Sequence, residues 1–132
     1  MSEDIELLAT RVIETAMGVH VDVGPGLLES VYETLLATRL QKQGLQVARQ
    51  VPVKARLDDI DFPDAFRADL LVEGKLLVEL KSVEKLAPIH ARQTLTYLRL
   101  LNQPLGLLIN FGGITLKEGL KRILNKYRQP KY

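Results

Sequence analysis

Asp69, Glu79 and Lys81 are the residues whose types and spacing could do chemistry. All three fall in RADLLVEGKLLVELKS, residues 67–82, a stretch otherwise dominated by leucine and valine. Glu79 and Lys81 are two apart, so on a strand their side chains leave the same face. Burying a lone carboxylate or ammonium costs several kcal/mol, comparable to what a whole domain has to spare. Cation binding would give the cluster a purpose. If Asp69 lies opposite Glu79, the two β-carbons are roughly 5 Å apart and point the same way. A hard divalent ion such as Mg²⁺ is held by such a pair of carboxylates together with a main-chain carbonyl and water. A lysine beside it can orient or deprotonate an attacking water, or offset charge on a phosphate. The plainer alternative is an acid at a strand end beside a Glu79–Lys81 ion pair at a sheet edge, and the spacing leaves it open.

Stepping outward, the elements must bring Asp69 and Glu79 into register. Residues 67–72 and 76–81 read as two short apolar strands joined at Glu73-Gly74-Lys75, each with the continuous aliphatic character of a sheet covered on both faces. A two-residue turn at Glu73-Gly74 would set Asp69 against Val78, on the wrong face. The sequence therefore predicts a three-residue turn with Gly74 at positive φ, or a bulge with the same effect.

Upstream, residues 4–22 predict a helix with Ile5, Leu8, Val12, Ile13, Ala16 and Val19 or His20 on one stripe, His20 being a packed or capping residue. Gly24-Pro25-Gly26 breaks it, and the proline can open the next helix at its first turn. That helix, about residues 27–43, is expected to turn Leu28, Val31, Tyr32, Leu35, Leu36 and Leu40 inward and to stop at Gly44. Glu29 sits in its first turn, where the helix dipole alone would favour a carboxylate. Tyr32 and Glu33 neighbour it on the helix surface. If this end faces Asp69 and Glu79, Glu29 becomes a third acid for metal or water. Residues 45–51 and 53–57 lean towards strand and are separated by Pro52, which marks an edge, a bulge or a break. Residues 58–64, DDIDFPD, read as an acidic, turn-rich loop.

Downstream, a helix of about residues 89–101 is expected to bury Ile89, Leu95, Leu98 and Leu101 or their neighbours. Gln93 and Tyr97, four apart on one face, suit a backbone phosphate or a base edge, with Arg92 and Arg99 adding charge nearby. Residues 105–111, LGLLINF, make another buried strand, ended by Gly112-Gly113. Leu116, Leu120, Ile123 and Leu124 predict a closing amphipathic helix, with a loose tail from Tyr127.

Composition bounds the rest. The chain of 132 residues is expected to form one domain over 1–132. It has no cysteine, which excludes disulfides, thiolate metal sites and cysteine nucleophiles, and its two histidines cannot build a histidine-rich zinc site. No apolar run approaches the ~20 residues needed to span a bilayer. The acidic start MSEDIELLAT lacks the plan of a secretion signal, so a cytoplasmic protein without membrane attachment is expected. Charge is unevenly spread: residues 1–80 carry a net −6 and residues 81–132 a net +8. The basic part could track a phosphate backbone, or could be a solvated helix face and tail.

The order helix, helix, three strands in a meander, helix, strand, helix, with an acid followed by Glu-x-Lys on the next strand, resembles the restriction-endonuclease-like PD-(D/E)XK fold. The segment GPGLLESVYE contains Gly26-x-x-Glu29-x-x-Tyr32, similar to the signature of the small GxxExxY proteins of that superfamily. The likeness runs from VHVDVGPGLLESVYE through RADLLVEGKLLVELKSV and QTLTYL to LGLLINFG. It implies an α/β fold: a mixed four-stranded sheet flanked by helices, αβββαβ with an extra helix at each end. It implies Asp69 and Glu79 as metal-binding acids, Lys81 as the catalytic lysine and Glu29 as an added acid. Gln93 and Tyr97 resemble the glutamine-x-x-x-tyrosine pair of exonuclease-like members. Ala68, where many members have proline, is a departure.

The expectation that results is a Mg²⁺- or Mn²⁺-dependent nuclease hydrolysing phosphodiester bonds of DNA in preference to RNA. Asp69, Glu79 and the Leu80 main-chain carbonyl would hold the metal, with Glu29 assisting. Glu29, Asp69, Glu79 and Lys81 would be the catalytic set, and Gln93, Tyr97 and Arg92 would bind substrate. The rival is a catalytically silent nucleic-acid-binding or regulatory module that keeps the fold. Either would work as a homodimer or within a larger nucleic-acid-processing complex.

Overall fold

The structure is a computed structural model, and it describes residues 4–126. Three helices and five strands follow in the order α1 (Ile5–Val23), α2 (Glu29–Lys42), β1 (Val47–Leu57), β2 (Ile60–Val72), β3 (Leu76–Lys81), α3 (Pro88–Leu101), β4 (Leu105–Asn110) and β5 (Leu120–Leu124). The strands form one sheet in the order β1-β2-β3-β4-β5. Only β3 and β4 run parallel, because α3 supplies the crossover between them; the other neighbours are antiparallel. No described helix is long and apolar enough to cross a membrane.

Helices cover both faces of the sheet, which is why β3 and β4 read as unbroken apolar runs. On one face Leu8, Val12, Ala16 and Val19 of α1 and Tyr32, Leu36 and Leu40 of α2 pack on Leu70, Val78, Leu80, Leu107 and Ile109. On the other, Leu98 of α3 packs on Leu77, Ala68, Phe66 and Val53. Leu70 and Ala68 share a parity on β2 yet belong to opposite faces. The strand therefore turns over at Asp69.

The turn after β2 has the register the sequence predicts. Val72 pairs Leu76 and Leu70 pairs Val78, leaving Glu73-Gly74-Lys75 as the turn. Gly74 has φ 70, and Glu73 is also left-handed at φ 55.

Elsewhere the structure departs from the sequence expectation. The sheet has five strands, not four, because the expected closing helix is a short 3-10 turn, Lys117–Gly119, leading into β5. Leu120, Ile123 and Leu124 fit a helical spacing, but a side chain on Gly119 would run into Asn110, so the chain is pressed flat against β4 and continues as a strand. Pro52 does not divide two strands. It lies inside β1 opposite Arg67, on an edge strand that can lose a donor. The expected acidic loop shrinks to Asp58-Asp59, both left-handed (φ 51 and 63), and Ile60–Asp64 belongs to β2. Acidic residues tolerate the positive φ that a two-residue hairpin turn demands.

The second helix starts at Glu29 rather than in its proline's first turn, so Leu28 (74 % exposed) and Val31 face outward while Glu33 and Ala37 are buried. Ile89 lies in the first turn of α3, beyond the sheet, and is likewise exposed. His20 is packed: it is buried near the Phe111 ring, with Nε2 3.0 Å from the Gly113 carbonyl. The expected tail from Tyr127 lies outside the described residues.

Candidate functional site

The ladder between β2 and β3 ends at Leu70–Val78, one residue short of Asp69. Beyond it the strands part, and each leaves a main-chain N–H without a ladder partner. The two carboxylates fill the gap crosswise: the Asp69 N–H donates to Glu79 Oε2 at 3.0 Å, and the Leu80 N–H donates to Asp69 Oδ2 at 2.8 Å. Asp69 and Glu79 thus converge on one point between diverging strands. Glu79 is only 5 % exposed, and Asp69 is half-buried.

Electrostatics follow from that geometry. Burial, reinforced by the Asp69 charge, pushes the Glu79 carboxyl up to about 8. Burial also raises Asp69, with the Leu80 N–H and the Gln50 amide pulling it back. Lys81 is half-buried at the end of β3 on the Glu79 side, and its charge opposes the rise at Glu29, Asp69 and Glu79. The Lys81 ammonium makes no hydrogen bond to a described residue.

Glu29, at the first position of α2, belongs to the same field. Its carboxyl is raised by burial and then by the Asp69 charge, and lowered by Lys81 and the Ser82 N–H. What brings this exposed residue there is its flanking loop. The Tyr32 hydroxyl donates to the Gly24 carbonyl at 2.6 Å and accepts from the Leu27 N–H at 3.1 Å. The Tyr32 ring is stacked on Phe111 at 4.5 Å, and Ser82 Oγ donates to the Leu27 carbonyl at 2.6 Å. Tyr32 itself is fully buried, a clamp for the connector and not a member of the polar cluster.

From the other side of the sheet, α3 brings Tyr97. Burial raises its phenol, and so do the charges of Glu79 and Asp69. Its ring is stacked on Phe66 of β2 at 3.8 Å. Gln93, one turn earlier, and Arg92 are exposed, and among the described residues no hydrogen bond or ion pair joins either to the carboxylates.

Gln50, which sequence reasoning passed over, touches the cluster, and Glu33, which it placed only beside Glu29, reaches the cluster through Gln50. Gln50 of β1 donates Nε2 to Asp69 Oδ1 at 3.3 Å and to Glu33 Oε1 at 2.7 Å, and Arg49 Nε donates to Glu33 Oε2 at 2.9 Å. The only signal for them was a charged side chain on the otherwise apolar stripe of α2. Among the described residues no three His, Cys, Asp or Glu side chains converge as a ready-made metal cage. A cleft of about 690 Å³ is lined by Glu84, Lys85, Asn110 and Gly112 among others and by none of the candidate acids. Its Asn110 amide is already engaged by Val83 and Gly112.

Residues 6–123 match the sequence profile of a family described as the PD-(D/E)XK nuclease superfamily. No curated protein and no solved structure matches the chain.

Proposed function

The chain belongs to the PD-(D/E)XK nuclease superfamily, and from that premise we propose that it is a divalent-metal-dependent nuclease acting on DNA in preference to RNA. Within the superfamily we place it with the GxxExxY proteins, on Gly26, Glu29 and Tyr32. The observation that carries the reading is the convergence of Asp69 and Glu79 across parted strands with Lys81 two residues beyond.

The residues fit a hard cation. Each carboxylate spends one oxygen on a main-chain N–H and keeps the other available: Glu79 Oε1 accepts nothing from the described residues, and Asp69 Oδ1 only the long Gln50 contact. Oxygen donors of this kind, with the Leu80 carbonyl and assistance from Glu29, suit Mg²⁺ or Mn²⁺. When bound, the cation polarises the phosphate and acidifies water. Lys81 holds its ammonium where it can orient the attacking water or offset charge on the phosphate. The Tyr97 hydroxyl, fixed by the Phe66 stack, positions the strand, and Gln93 and Arg92 extend that contact along α3.

Cleavage of a DNA duplex and a single strand in Mg²⁺ or Mn²⁺ by wild type and Lys81→Ala tests this. The variant is expected to fold and bind the metal but to lose cleavage. Equal turnover by both would remove Lys81 from the mechanism. One observation favours a second reading, a catalytically silent nucleic-acid-binding module: one oxygen of each carboxylate is already held by a main-chain N–H without a cation. Calorimetric titration of Mn²⁺ into wild type and Asp69→Asn decides between them, since no heat from wild type selects the silent module.

A further inference from the structure

Resting on the reading of Asp69 as a metal ligand, we propose that Gln50 is a positioning residue of the cation site and that Glu33 fixes which way its amide faces. Gln50 sits on β1 between Arg49, which pairs Leu70, and Val51, which pairs Ala68. Its own φ is 49, a left-handed conformation that glutamine seldom adopts. The twist coincides with the place where β2 turns over, and it brings the Gln50 side chain between α2 and Asp69.

The amide has two different ends, and its surroundings accept only one. Glu33 Oε1 lies 2.7 Å from Nε2 and Asp69 Oδ1 lies 3.3 Å from it. Both neighbours are carboxylates, so the NH₂ end must face them and each of its two hydrogens has a destination. Glu33 makes the choice firm. It is buried (8 % exposed), and its second oxygen is held by Arg49 Nε at 2.9 Å, so it cannot turn away. Arg49 is steadied in turn by Thr34 Oγ1 at 2.8 Å.

Asp69 is therefore gripped from two strands. The Leu80 N–H of β3 holds Oδ2, and the Gln50 amide of β1 holds Oδ1. A carboxylate held at both oxygens does not rotate about its last bond. Its lone pairs stay aimed at the point it shares with Glu79. Removing such an outer hydrogen-bond partner typically weakens metal affinity about 10- to 100-fold.

Mn²⁺ affinity by calorimetry and melting temperature in a chelator, measured on the full chain, test the assignment. Gln50→Gly deletes the amide and puts glycine where φ is positive. Relief of that backbone strain offsets the hydrogen bond lost by the buried Glu33, so its melting temperature is expected to stay near that of wild type while Mn²⁺ affinity falls about tenfold or more. Glu33→Gln is expected to weaken Mn²⁺ as well, and the double variant to bind no worse than Gln50→Gly, because Glu33 acts through Gln50. Wild-type Mn²⁺ affinity in Gln50→Gly overturns the proposal. So does a loss of affinity matched by a fall in melting temperature, the mark of a merely structural residue. With wild type binding and Asp69→Asn not binding, either result removes only the role of Gln50. Silence from wild type removes the metal reading and this inference together.

Discussion

A carboxylic acid whose pKa is raised by folding costs the fold nothing while both states are protonated, and destabilises it increasingly as pH climbs from the free value to the folded one. Glu79 is such a group, raised by burial and by Asp69 from an ordinary 4.5. Between 4.5 and 8 the native state binds a proton that the unfolded chain has released, so stability falls as pH rises through this window. The charges facing Glu79 are Asp69 on β2, Lys81 on β3 and Glu29 on α2. Metal-free protein is expected to lose roughly 1 kcal/mol per pH unit in the window, read by chemical denaturation from pH 5 to 8. Glu79→Gln, which needs no proton, should flatten the profile. The acids and the lysine were legible in the sequence because charge in a run of leucines has to be explained. Gln50 and Glu33 were not. A glutamine on an edge strand and a glutamate on a helix look solvated until packing shows otherwise.

Between residues and whole, the elements hold the cluster through close backbone approaches. The connector between α1 and α2 is held by two hydroxyls, that of Tyr32 at Gly24 and Leu27 and that of Ser82 at Leu27. Tyr32→Phe leaves the Leu27 N–H and the Gly24 carbonyl without that partner, and a loss of about 1–3 kcal/mol is expected in denaturant titration. At the far end of β4, a methyl group on Gly112 would fall onto the Val83 main chain. Gly112→Ala should therefore cost about 3 kcal/mol, unless the loop after β3 shifts as a unit, which amide exchange at Val83 would reveal. The turn after β2 was legible by counting, since only one parity brings Asp69 opposite Glu79. The final strand was not, because Leu120, Ile123 and Leu124 satisfy a helical period and a strand alike. The tight seat of Gly119 against Asn110 settles the matter, and that is a tertiary fact.

Along the chain, charge is uneven, with residues 81–132 basic and residues 1–80 acidic. For the proposed nuclease, affinity for a DNA oligonucleotide is expected to fall steeply with salt, and Arg92→Ala to reduce the slope of log K against log salt by about 1. A mobility shift over a salt series without metal checks both. The helical layers on either face of the sheet were legible from apolar runs too long for a half-exposed strand. The parted strands also bear on how this protein can be handled. Because the two acids close on each other's backbone, the chain carries its own stoppers, and folding needs no guest. Protein stripped with EDTA should stay compact and cooperative in its melting, ready to be charged afterwards with whichever ion the experimenter chooses.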